Sequence, residues 1–68
     1  MKKYRIKSIT LPKQEYSQLQ AIGVDVDVEI VLKEDNKSPH LCFITVDNSV
    51  FCLRKSTMKN IELEEVKE

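Results

Sequence analysis

The sequence predicts a mainly β fold: a small barrel of about five strands, closed or nearly closed, with one short inserted α-helix. Three observations support this prediction. The 68 residues are enough for a single domain, 1–68. Several short stretches alternate apolar and polar residues, as strands with one buried face do. One segment between the first two of these stretches has helical spacing instead. The chain has no Trp, so Val, Ile and Leu must form the core.

The first stretch predicts a strand at about residues 3–10. Tyr4 and Ile6 alternate there with basic residues. Pro12 follows two residues later and cannot donate a hydrogen bond to a sheet. Because Pro is well suited to the first turn of a helix, the same residue predicts the start of the next element.

The second stretch predicts a helix at 13–22. Its apolar residues recur at three-residue steps, at Tyr16, Leu19 and Ile22. Gly23, which is the only glycine in the chain, follows where many helices end in a left-handed residue.

The third stretch, VDVDVEIVL at 24–32, predicts a strand with two different faces. One face would carry Val24, Val26, Val28, Ile30 and Leu32, and the other Asp25, Asp27 and Glu29. Neighbouring carboxylates on a flat strand lie about 7 Å apart. Such a row rarely converges on one ion, so we expect a solvent-exposed face and not a metal site.

The remaining elements are a loop at 34–40, a hairpin, a helical turn and a last strand. The loop is dense in turn-forming residues. The hairpin strands are expected at 41–46 and 50–54. The segment KSTMKN reads as a single helical or 3₁₀ turn, and Ile61 and Leu63 begin the final strand.

Charge is balanced overall but unevenly distributed. Residues 1–13 carry five basic groups and no acid, whereas residues 61–68 carry four glutamates and one lysine. The simplest explanation is that the first and last strands pair with opposite charges across the ladder. A small RNA-binding barrel using the basic first strand is an alternative. A nucleic-acid binder usually has a larger basic excess, so we predict no nucleic-acid partner.

The candidate transition-metal ligands are His40, Cys42 and Cys52. A three-residue hairpin turn would put both cysteines on one face, and a two-residue turn would put them on opposite faces. Three ligands also fall short of the four that a closed zinc site needs. We expect no cofactor and two thiols that act as small apolar side chains.

No catalytic group can be assigned from the sequence. The single His has no nucleophile at a recognised spacing, and the chain has no Gly-rich phosphate loop, so we predict that it is not an enzyme. No apolar run approaches the ~18 residues of a membrane span, which predicts a cytoplasmic location. The best candidates for partner binding lie on the predicted helix and its glycine turn: Lys13, Gln14, Tyr16, Ser17, Gln20 and Gly23. The alternative is that the helix only closes one end of the barrel.

The order and spacing of the motifs resemble the FeoA domain, over roughly residues 4–66. The family pattern Leu-x-x-hydrophobic-Gly-hydrophobic matches Leu19, Ile22, Gly23 and Val24. Its later motifs match Glu29-Ile30-x-Leu32, Phe51-Cys52-Leu53-Arg54 and Ile61-x-Leu63. Where the family usually has Pro-Gly, this chain has Val26-Asp27.

The resemblance implies an SH3-like β-barrel without a catalytic role. It implies a cytosolic accessory protein of bacterial ferrous iron uptake, whose partner is the G domain of the membrane ferrous iron transporter. The protein would then reach the membrane only through that partner. A related barrel in iron-dependent regulators sometimes supplies metal ligands. An SH3-like protein that binds or senses transition metals is therefore the alternative.

Overall fold

The computed structural model describes residues 2–34, 37 and 39–67, which form five strands and two short helices. In chain order these are β1 (Lys2–Ile9), α1 (Lys13–Ala21), β2 (Glu29–Glu34), β3 (Leu41–Val46), β4 (Ser49–Arg54), α2 (Lys55–Met58) and β5 (Ile61–Glu65). The mainly β prediction, with a helix between the first two strands, is confirmed. The predicted loop at 34–40 includes residues 35, 36 and 38, which lie outside the described residues.

All five strands pair antiparallel in one sheet of order β4-β3-β2-β1-β5. A fully closed barrel is therefore wrong, because β4 and β5 remain as the two edges of the sheet. The chain between these edges forms α2 and does not continue as a paired strand. The Lys55 N–H at the start of α2 donates to the His40 carbonyl at 2.9 Å. After α2, the Asn60 carbonyl accepts from the Thr10 N–H at 2.7 Å.

The core lies on the inner face of the sheet, beneath α1. Alternate residues of β3 point inward because side chains of a strand alternate between its two faces. Leu19 of α1 packs into the same cluster. The buried apolar residues are Ile6, Leu19, Val24, Ile30, Cys42, Ile44, Val46 and Ile61.

The C-terminus of α1 ends in a Schellman motif. Gly23 has φ 92°, a left-handed conformation that suits glycine and confirms its predicted role. Its N–H donates to the Gln20 carbonyl at 3.0 Å, and the Val24 N–H donates to the Leu19 carbonyl at 2.9 Å. Leu19 and Val24 are both buried, which supplies the apolar contact that usually accompanies this motif. The chain therefore leaves the helix in a fixed direction.

The predicted strand at 24–32 is wrong in its first half, because β2 begins only at Glu29. Residues 25–28 form a tight turn, in which the Val28 N–H donates to the Asp25 carbonyl at 3.2 Å. Asp27 has φ 71°, a conformation that Asp tolerates better than most residues. The alternating valines therefore reflect the buried Val24 and half-buried Val28 on either side of a turn.

The predicted pairing of the first and last strands is confirmed. In the antiparallel ladder of β1 and β5, Arg5 lies opposite Glu64. The Ser8 hydroxyl donates to the Glu62 carboxylate at 3.1 Å. The basic start and the acidic end of the chain thus face each other across one ladder.

The β3–β4 hairpin has a two-residue turn at Asp47 and Asn48, so Val46 pairs with Ser49. Both turn residues have positive φ, 52° and 68°, as a type I′ turn requires. The three-residue alternative is therefore wrong. Cys42 now lies opposite Leu53, while Cys52 lies opposite Phe43 on the other face of the sheet.

Candidate functional site

The six residues predicted to bind a partner lie on one end and one flank of α1, and we call them the helix surface: Lys13, Gln14, Tyr16, Ser17, Gln20 and Gly23. Five of the six are exposed, and Tyr16 is half-buried. Lys13, Ser17 and Gln20 lie on one side of the helix, because residues three and four apart are neighbours. The surface is polar and carries a single charge, that of Lys13.

Asp25 fixes the C-terminal end of the helix surface. Its carboxylate accepts hydrogen bonds from the Tyr16 hydroxyl, from Gln20 Nε2 at 3.1 Å and from the Val26 N–H at 2.7 Å. The prediction that Asp25 belongs to a solvated strand face is therefore wrong. Its side chain ties the turn after Gly23 back to the helix.

The same contacts shift two pKa values in opposite directions. The hydrogen bond from Tyr16 lowers the pKa of Asp25, and those from Gln20 and the Val26 N–H lower it further. The hydrogen bond to Asp25 also raises the pKa of Tyr16, because ionisation would remove the hydroxyl proton that it donates; desolvation and the charge of the carboxylate raise it further. The network is thus most stable with Asp25 ionised and Tyr16 neutral.

The opposite side of α1 faces the edge strand β4 across a groove of about 380 Å³. We call it the β4 groove; its lining consists of Glu15, Gln18, Leu19, Cys52, Leu53, Arg54 and Thr57. The sequence prediction missed this groove. The one signal was that β4 carries no charge before Arg54, but the sequence does not reveal which strand is an edge.

The structure does not bring His40, Cys42 and Cys52 together. Cys42 is 3% exposed in the core, whereas Cys52 is exposed on the outer face. His40 lines a separate pocket with Arg54, Lys55 and other residues, so a metal cation there would meet like charge. Among residues 2–34, 37 and 39–67, no three His, Cys, Asp or Glu side chains are placed to hold one ion.

Two basic residues of β1, Lys3 and Arg5, have acidic neighbours on the adjacent strands. Arg5 lies opposite Glu29 of β2 and Glu64 of β5. Lys3 Nζ lies 3.8 Å from the Glu29 carboxylate. The strand that suggested RNA binding is therefore flanked by carboxylates, which weakens its attraction for phosphate groups.

Comparison with known proteins identifies the family. The FeoA domain family matches residues 1–65 of the 68. Comparison with curated proteins and with solved structures found no match. In the described part of the chain, neither helix is long and apolar enough to cross a membrane. The FeoA domain is the small accessory domain of ferrous iron transport, and this chain belongs to that family.

Proposed function

We propose that this chain binds the cytosolic G domain of the membrane ferrous iron transporter through the helix surface and modulates the transporter. The protein acts in the cytoplasm and reaches the membrane only through this partner. It catalyses no reaction and needs no resident cofactor. The observation that carries the proposal is the family match over nearly the whole chain.

The rigidity of the helix surface supports its role as the contact. The Schellman motif at Gly23 and the three hydrogen bonds to Asp25 hold the C-terminal end of the surface in place. A surface that is ordered before binding loses less conformational entropy when the complex forms. Tyr16 adds an aromatic ring of the kind that protein interfaces favour.

The chemistry of the surface suits a polar partner patch. Gln14, Ser17 and Gln20 offer hydrogen-bond donors and acceptors, and Lys13 offers one cation. An acidic residue of the G domain beside Lys13 would orient the complex and speed its association. Control of the transporter would then follow from stabilising whichever conformation of the G domain binds this surface better.

The test is an amide NMR titration of the labelled protein with the isolated G domain of the transporter from the same cell. We expect chemical-shift changes clustered on residues 13–25. Lys13→Glu should weaken binding at least about threefold, as expected for removing a rim charge pair. Lys7→Glu makes the same charge change on β1, away from the helix surface, and is the matched control.

Two results would contradict the proposal. If the G domain causes no shifts, the partner is wrong. If shifts occur elsewhere and Lys13→Glu binds like Lys7→Glu, the surface is wrong. A parallel titration with Zn²⁺ tests the metal-binding alternative, which requires shifts at His40, Cys42 and Cys52 together.

A further inference from the structure

Among the described residues, no strand lies beside the edge of β4 that points away from β3. In a hairpin with a two-residue turn, the residues flanking the turn exchange both of their hydrogen bonds, and the pairs alternate from there. Phe51 and Leu53 therefore bond to β3. The N–H and carbonyl groups of Val50 and Cys52 point away from it, and β4 is the last strand of the sheet.

The side chains of this edge do not block pairing with another strand. Sheet edges are usually protected by charge, proline or a bulge. From Ser49 to Leu53 the strand has none of these, and its register with β3 is unbroken. The Val50 side chain is 66% exposed, although it is large and apolar.

The helix α1 forms a second wall along this edge. At one end of β4, Glu15 and Arg54 line the same groove. At the other end, a Cβ on Gly23 would lie 3.7 Å from Val46, whose pairing partner is Ser49. Residues of α1 and of β4 thus line one groove at this edge.

We propose that β4 binds an extended segment of a partner protein as a sixth, antiparallel strand in the β4 groove. The segment is apolar at the positions opposite Val50 and Cys52 and carries a carboxylate opposite Arg54. Among the described residues, no acidic side chain forms an ion pair with the exposed Arg54. Cross-strand pairs of opposite charge stabilise such ladders. Other modules capture peptides by adding a strand to an edge in the same way.

This binding mode is separate from the helix surface. Glu15 and Gln18 project away from Lys13 and Ser17, because successive helical residues are rotated by 100°, and only Gln14 of the helix surface lies beside Gln18. The inference therefore does not require that the G domain is the partner. Its test uses no G domain, so the two proposals can fail independently.

The test uses two synthetic peptides, acetyl-SDTVTVS-amide and acetyl-SKTVTVS-amide, added to the labelled protein. In the antiparallel register the Asp or Lys lies opposite Arg54, and the valines lie opposite Cys52 and Val50. We expect the amides of Val50 and Cys52 to become slower in hydrogen exchange with the Asp peptide. Those of Phe51 and Leu53, already bonded to β3, should change little. The Lys peptide should bind about threefold more weakly.

Two variants separate the backbone contribution from the side-chain contribution. Val50→Pro removes the N–H that would bond to the peptide but no bond of the β3–β4 ladder, so peptide binding should be lost. Val50→Thr keeps the N–H and a β-branched side chain, and should retain binding. The amide spectrum of each variant checks that it is folded. If Val50→Pro does not fold, the hydrogen-exchange measurement on the unmodified protein still tests whether the peptide pairs with β4.

Three results would overturn the proposal. The first is unchanged exchange at Val50 and Cys52 at the highest soluble concentration of the Asp peptide. The second is equal binding of the two peptides, which would remove Arg54 from the site. The third is protection that rises with protein concentration alone, since that would assign the edge to a second copy of the chain.

Discussion

The two edges of the sheet differ in both charge and cover. The β5 edge carries three exposed glutamates, Glu62, Glu64 and Glu65. The β4 edge is uncharged until Arg54 and exposes a valine. Charged side chains on an edge discourage pairing with another chain. The charges of β5 therefore disfavour pairing with a further strand, whereas β4 remains available for such pairing.

The edges also differ in how they are anchored to the core. Ile61 of β5 is 6% exposed, whereas the inward residues Phe51 and Leu53 of β4 are only half-buried. Leu53 lines the β4 groove, so part of its surface remains accessible to water. In a domain this small, such incomplete burial reduces an already narrow stability margin. A binding role for the β4 edge would explain why this incomplete burial is retained.

The largest effect should come from truncating the anchors. Ile61→Ala should lower the free energy of unfolding by about 2–5 kcal/mol, because it leaves a cavity in the core. Leu53→Ala should lower it by less, since solvent already reaches that side chain. Urea denaturation followed by circular dichroism measures both. An equal loss in the two variants would mean that the β4 edge is as well covered as β5.

A smaller effect is expected at the C-terminal end of α1, where Gly23 ends the helix. Gly23→Ala should cost about 1–2 kcal/mol, because alanine is strained at positive φ. The added Cβ would meet Val46 at an ordinary contact distance of 3.7 Å, so crowding is not the cause. Gly23→Asn is the matched control and should cost less, since Asn tolerates this conformation. A greater loss for Asn in the same denaturation assay would contradict this account.

Charge changes on the two edges should produce unequal, still smaller effects. Glu64→Lys puts a cation opposite Arg5 and should cost about 0.2–1 kcal/mol. Val50→Lys also introduces a cation, at an exposed position opposite Thr45, and should change stability by no more than about 0.5 kcal/mol. The shift in urea midpoint compares them. If Val50→Lys were the more damaging of the two, the β4 edge would be more tightly packed than we describe.

The smallest effect is a pH dependence on the side of α1 away from β4. Because the folded pKa of Asp25 is lowered, its stabilisation is present above the unfolded value of about 3.9 and is lost as pH falls through the folded pKa. Because the folded pKa of Tyr16 is raised, its contribution is present below about 10 and is lost as pH rises through the folded pKa.

Thermal unfolding at a series of pH values measures this dependence. Asp25→Asn and Tyr16→Phe should both flatten the acid limb of the stability curve. Ser17→Ala, an exposed substitution on the same helix surface, should leave the limb unchanged. An unaltered acid limb in Asp25→Asn would show that the hydrogen bonds of this network do not hold the turn in solution.

Local signals explain which parts of the fold could be predicted from the sequence. Nearby residues were enough to predict the strand–helix–strand order and the glycine cap. A strong charge pattern predicted that basic β1 lies opposite acidic β5. The strand at 24–28 failed because alternating valines fit both a strand and a turn with buried ends. The left-handed residue there is Asp27, at the position where the FeoA family usually has glycine. This correspondence was the one sequence signal that predicted a turn here and not a strand.

The site was harder to predict because it depends on non-local arrangement. The residues predicted to face outward are exposed, and Tyr16 is half-buried. Their link to Asp25 could not be predicted, because it depends on the turn after Gly23. The β4 groove depends on strand order, which no local pattern encodes. The hairpin register turned on whether Asp47 and Asn48 alone formed the turn. One residue more would have placed the two cysteines on one face.

The two-residue turn also gives the protein two thiols that react on different timescales. Alkylation by a small maleimide should be fast at Cys52, which is exposed on the outer face and borders the β4 groove, and slow at Cys42, which is buried. Slow labelling of Cys42 would follow the rate at which the domain opens. Slowed labelling of Cys52 would instead report that something occupies the groove. A single mass-spectrometry time course could thus read domain opening and edge occupancy separately, without introducing any label site.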